Sequence, residues 1–146
     1  MLRKENMSDQ ELYDTLFNAV KIFYDKVYKD SWLSQVFSVI DQEIIEKQQT
    51  DFMVQAFGGP KRYCGRNPKD AHMHIFVDEK MWDYREKLLE ESLKEASLSQ
   101  EMIDKWMKID NAFRSQIQRV KPEDCQKRYT TDTIINIPQP IGKKVA

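Results

Sequence analysis

Ala56-Phe57-Gly58-Gly59-Pro60-Lys61-Arg62-Tyr63-Cys64-Gly65-Arg66-Asn67-Pro68-Lys69-Asp70-Ala71-His72 gathers what is scarce in this chain. Three of the four glycines, two of the five prolines and one of the two histidines fall in these seventeen residues. Gly58-Gly59-Pro60 stops a helix, because Gly takes the left-handed conformation readily and Pro has no N–H to donate. The punctuation continues through Gly65 and Pro68, among the basic residues Lys61, Arg62, Arg66 and Lys69, and reads as an ordered loop. A short segment around residues 69–75 follows and carries both His72 and His74.

Upstream of Gly58 there is neither Gly nor Pro, the pattern of long helices. Ser8-Asp9-Gln10-Glu11 is a capping box, and Leu12, Leu16, Ala19, Val20, Phe23, Tyr24 and Val27 recur at helical spacing. This first helix is expected to reach about Tyr28 and to break at Lys29-Asp30-Ser31. Trp32, Leu33, Val36 and Phe37 make a short apolar turn. Asp41 caps a helix over 42–57, whose stripe of Ile45, Gln49, Phe52 and Ala56 reads as its buried face. Downstream, Asp78 caps a long helix buried through Met81, Trp82, Leu88, Leu89, Leu93 and Ala96. Ser97 or Ser99 caps a last one, running through Met102, Ile103, Trp106, Ile109, Phe113, Ile117 and Val120. The expectation is an all-α domain over 1–120 and an extended C-terminal tail over 121–146, with at most one short strand.

At 146 residues the chain has room for one domain. The balance of 23 Lys+Arg against 24 Asp+Glu lacks the basic excess of a nucleic-acid binder. With 40% hydrophobic and 11% aromatic residues a packed core is affordable in composition, so disorder is not expected. No apolar run is long enough to cross a membrane. Residues 1–6 do not read as a secretory signal, and two cysteines suit a reducing compartment. A cytoplasmic location is the expectation.

Tyr24 and Gln49 interrupt apolar helix faces. A buried hydroxyl or amide left without a partner costs about 1–3 kcal/mol. Either the two bond each other or a nearby carbonyl, or both face a ligand between the helices. A neutral His facing such a cavity has the chemistry of an axial haem ligand. A different class of reading is zinc bound by Cys64, His72, His74 and Cys125 in an all-α regulatory module, although C-x7-H-x-H is no standard structural zinc spacing.

The combined pattern of Phe23-Tyr24, Phe37, Phe52, Ala56-Phe57-Gly58-Gly59-Pro60, Tyr63, Gly65-Arg66 and Ala71-His72 resembles the truncated haemoglobins, most nearly their group I. Tyr24 and Phe37 are thirteen residues apart, and Gly58 and His72 fourteen, as in that family. The resemblance covers about residues 12–120 and is strongest over 23–76. It implies a two-over-two helical sandwich around haem b, with His72 as proximal iron ligand. Tyr24 and Gln49 become distal hydrogen-bonders, and Ile45 faces the iron. Phe37, Phe52, Phe57, Phe76 and Trp82 belong to the haem pocket. Lys47, Arg62, Tyr63 and Arg66 are candidates for the propionates. Gln48 stands where some members carry a second iron-binding His, which closes that route to six-coordination. His74 is the rival iron ligand, but two helical positions on it points about 200° away from His72.

The resemblance further implies binding of O2, NO or CO, with nitric oxide dioxygenation supported by an external reductase as the activity, and neither nucleic acid nor membrane as partner. The alternative within haem proteins is gas or redox sensing through a partner docked by the tail.

Overall fold

The computed structural model describes residues 7–140; residues 1–6 and 141–146, the outer ends of the expected domain and tail, lie outside the described residues. Helix α1 (Asp9–Lys29) starts at Ser8, whose hydroxyl accepts from the Glu11 N–H while the Glu11 carboxylate accepts from the Ser8 N–H. Its stripe of Leu12, Leu16, Ala19, Val20, Phe23, Tyr24 and Val27 is buried throughout. Asp30 ends α1, and its carboxylate accepts from the N–H groups of Trp32 and Leu33. That turns the chain into the short α2 (Leu33–Val36).

Helix α3 (Gln42–Ala56) is capped by the Asp41 carboxylate. The stretch Gly58-Gly59 ends it as the glycines predict: Gly58 has φ 92° and the Gly59 N–H donates to the Val54 carbonyl. A loop leads to α4 (Pro68–His72), capped by Asn67, and Asp78 then caps α5 (Glu79–Glu95). Of the two candidate serines, Ser99 caps α6 (Gln100–Asn111).

The last helix differs from expectation. It breaks after Asn111 and resumes as α7 (Arg114–Ile117). At the break, Phe113 packs edge-on against Phe52, with ring centroids 5.8 Å apart. Arg114 pairs with Asp83 at 3.0 Å. Both contacts favour a short turn over a straight run to Val120, which is exposed.

Helix α1 packs on α3 and on α5, α5 packs on α6, and α4 meets α7. The result is two helix pairs laid across each other, with α4 at the open side. The core is centred on α1, with Leu12, Leu16, Val20 and Val27 fully enclosed. Among the described residues there is no strand. The tail holds one 3-10 turn (Pro122–Asp124) and meets the body through a single parallel bridge between Ile135 and Ile75.

Candidate functional site

The two faces of α3 define the site. The side turned to α1 carries Glu46, Thr50, Met53, Val54 and the capping Phe57, all buried. The stripe of Ile45, Gln49, Phe52 and Ala56, read from sequence as the buried face, is only half-buried. The interior pairing goes instead to the neighbouring face, where the Thr50 hydroxyl donates to the Glu46 carbonyl at 2.7 Å and so carries no unmet hydrogen bond into the core. The more apolar stripe is left against a cleft that protein side chains do not fill.

Across that cleft stands His72, at the end of α4. Its Nδ1 lies 2.7 Å from the Pro68 carbonyl oxygen, the i−4 acceptor of its own helix. With that carbonyl accepting from Nδ1–H, the Nε2 lone pair is left outward for a metal. The ring is half-buried. Desolvation lowers its pKa, opposed by the Pro68 carbonyl and aided by the Arg85 charge, which favours the neutral, ligating form.

Tyr24 comes from α1 and is packed edge-on between Phe23 and Phe37, with centroids at 5.0 and 5.7 Å. Burial pushes its phenol well above the ordinary range, so it stays a donor at every physiological pH. The hydroxyl makes no hydrogen bond within the described residues, and neither does the Gln49 amide. The sealed, unpartnered side-chain atoms among the described residues are His74 Nδ1 and Trp82 Nε1, so the Tyr24 hydroxyl borders open volume. Tyr24 and Gln49 therefore do not satisfy each other, which was one of the two readings of their place in the stripes.

One charged pair ties the two sides together. Arg85 of α5 holds Asp110 of α6 with two N–H···O contacts, 2.6 and 2.9 Å, and also reaches Glu86 at 3.2 Å. The charges of Arg85 and Asp110 act on both Tyr24 and His72. These groups were missed in sequence, yet they carried a signal of the same kind as Gln49. Arg85 lies three residues after Trp82 and four before Leu89, and Asp110 four after Trp106, so both interrupt apolar stripes.

The other expected pocket residues divide. Phe37, Phe52, Tyr63 and Phe76 are half-buried, with Tyr63 edge-on to Phe52 at 5.2 Å. Phe57 differs from the expectation: it is fully buried against Trp106, because its place at the α3 cap turns it toward the core. Trp82 is likewise sealed, beneath Arg85 at 5.1 Å and Arg114 at 6.0 Å. Gln48 is exposed, one position off the Gln49 face. Lys47, exposed, pairs with Asp51 at 2.7 Å; Arg62 is exposed, and Arg66 lies over the Tyr129 ring at 4.8 Å. The cations stand at the rim, and the aromatic residues inside it. His74 is buried beyond the end of α4, and Cys64 and Cys125 are free thiols. Among the described residues no three His, Cys, Asp or Glu converge to hold a metal ion, so the zinc reading has no site there. Two separate hollows, of 470 and 310 Å³, lie beside Ser97 and beneath the tail, and neither includes Tyr24, Gln49 or His72.

The donor set fits haem: one neutral imidazole with a free Nε2, a half-covered aromatic wall, polar donors opposite and cations at the edge. A family model for bacterial-like globins matches residues 12–119. A group 1 truncated haemoglobin of Tetrahymena pyriformis is 33% identical over 91 residues, 62% of this chain and 75% of that protein. The group 1 truncated haemoglobin of Tetrahymena thermophila matches to the same extent. The crystal structure of the Tetrahymena pyriformis protein in its Fe(III) form superposes with a TM-score of 0.63 at 29% identity, covering 75% of this chain and 98% of that one.

Proposed function

The chain belongs to the bacterial-like globins, as a truncated haemoglobin of group I, and from that premise we propose that it takes haem b through His72 and uses Tyr24 and Gln49 to retain a diatomic ligand. Membership implies haem binding and small gas ligands such as O2. The observation that supports the finer reading is the pair of unbonded polar groups, Tyr24 and Gln49, on helix faces that look across to an outward His72 Nε2.

When bound, the haem supplies an iron that binds diatomic gases and exchanges single electrons with a donor. The chain's residues do the rest. The Pro68 carbonyl fixes the His72 tautomer and so keeps Nε2 basic. Phe37 and Phe52 exclude water from the ring faces. Phe23, Phe37 and Tyr28 hold the Tyr24 ring, so its hydroxyl is preorganised to donate to a ligand atom that gains negative charge. Gln49, one turn along α3 from Ile45, adds an amide donor. Lys47, Arg62, Tyr63 and Arg66 sit where they can meet propionate carboxylates.

A pocket that donates to a charge-bearing ligand slows its release, which suits reaction of held O2 more than delivery of it. Nitric oxide dioxygenation is the reaction we assign: NO and O2 leave together as nitrate, the iron gives up one electron, and a reductase returns it. The test is dissociation of O2 from the ferrous protein by stopped flow. Tyr24→Phe removes one donor to a charged acceptor, worth about 1.5–3 kcal/mol, and speeds release by roughly ten- to a hundredfold. An unchanged rate removes Tyr24 from the distal side.

A further inference from the structure

Resting on the haem reading above, we propose that Arg85 is a specificity-determining residue that makes this pocket selective for small inorganic monoanions over neutral ligands. Arg85 sits inside the wall of the site, on the buried stripe of α5. Its guanidinium lies over the Phe23 ring at 5.6 Å, next in sequence to Tyr24, and over Trp82 at 5.1 Å. The fork is pinned from behind by Asp110, with contacts of 2.6 and 2.9 Å, and by Glu86 at 3.2 Å. A guanidinium has five N–H donors. Three contacts to these two carboxylates account for only part of them, and no other acceptor among the described residues takes the rest. The side chain retains 25% exposure although it stands between α1, α5 and α6.

The direction of the pair follows from its effect on the groups beside it. At the Tyr24 hydroxyl and at the His72 ring alike, the charge of Arg85 acts more strongly than that of Asp110. The positive end of the ion pair is therefore turned to the site and the carboxylate away from it. Glu86 does not cancel that field, because burial and the hydrogen bond with Asp110 raise its pKa to about 8 and leave it mostly neutral at pH 7. An anion entering between Tyr24 and His72 meets a cation that is already desolvated and held in place, so little reorganisation opposes it.

Azide is the anionic probe and CO the neutral one. The haem-loaded full chain is compared with Arg85→Leu/Asp110→Leu, which removes both charges together and so leaves no unpaired ion in the wall. Arg85→Lys, which keeps the charge without the fork, is the second variant. Titrations at pH 6.5 follow the Soret shift, with azide on the ferric form and CO on the ferrous. The expected result is an azide affinity at least tenfold lower in the paired Leu variant, CO affinity within twofold, and Arg85→Lys within threefold of the parent for both. Azide affinity that ignores the paired substitution, or azide and CO weakened by the same factor, overturns the proposal and leaves the haem reading standing. A parent chain that takes up no haem sinks both.

Discussion

Glu86 shows what one side chain contributes at this site. Its carboxyl is held protonated up to about pH 8 by burial and by its hydrogen bond with Asp110, against an ordinary value of 4.5. The folded chain then binds a proton that the unfolded chain releases. This contribution to stability is complete below the unfolded pKa and is lost as pH rises through the folded one. Thermal melts of the parent should decline between pH 5 and 8 from this source, and Glu86→Gln should flatten that decline while keeping the hydrogen-bonding shape. An equally steep decline in the variant refutes the assignment. Tyr24 and Gln49 were legible as residues out of place on an apolar stripe. Arg85 and Asp110 broke stripes in the same way, but a charge pair can only be recognised once its two halves, on different helices, are seen to meet.

At the scale of the helix, α3 is the informative element. Its cap at Asp41, its end at Gly58-Gly59 and its length follow from local chemistry and were legible. Its buried face was not. The more apolar stripe faces the cleft, and the face holding Glu46 and Thr50 packs on α1. Periodicity identifies a stripe without saying whether protein or ligand will cover it. The close approach of α1 and α3 also sets a steric limit. A Cβ on Gly59 would lie 2.7 Å from Val54 Cγ1 and 3.0 Å from both Leu12 Cδ2 and the Val54 carbonyl oxygen. Gly59→Ala should cost about 1–3 kcal/mol through overpacking, read as a lower denaturant midpoint. An unchanged midpoint means the two helices can separate freely there.

Over the whole molecule, the tail fastens the segment that follows His72. The Ile135 N–H donates to the His74 carbonyl at 2.9 Å, and the Phe76 N–H to the Ile135 carbonyl at 2.8 Å. The Gln126 N–H donates to the Met73 carbonyl, and the Trp32 indole N–H to the Ile137 carbonyl, each at 2.8 Å. At a net value of about 1 kcal/mol per bond, truncation after Val120 should remove roughly 2–4 kcal/mol. It should also raise hydrogen exchange at the Phe76 amide, which loses its acceptor. Full protection of Phe76 in the truncated chain excludes this fastening role. A tail committed to residues 73–77 is less free to dock a partner, so these bonds weigh against sensing through it.

By itself the sequence determined where the helices begin and end, which residue carries the outward imidazole, and which polar residues do not belong in a core. Those are local matters: caps, glycine conformations, and a period of 3.6 residues that neighbouring side chains obey whatever surrounds them. Tertiary structure alone decided that the apolar stripe of α3 lines a cleft, that Phe57 and Trp82 are sealed away from it, that the last helix breaks at Phe113, and that the tail returns to His74. It also decided that Arg85 and Asp110, twenty-five residues apart, form one ion pair within reach of both Tyr24 and His72. Each of these depends on which surfaces remain after the helices have packed, and a single strip of sequence does not contain its own partner.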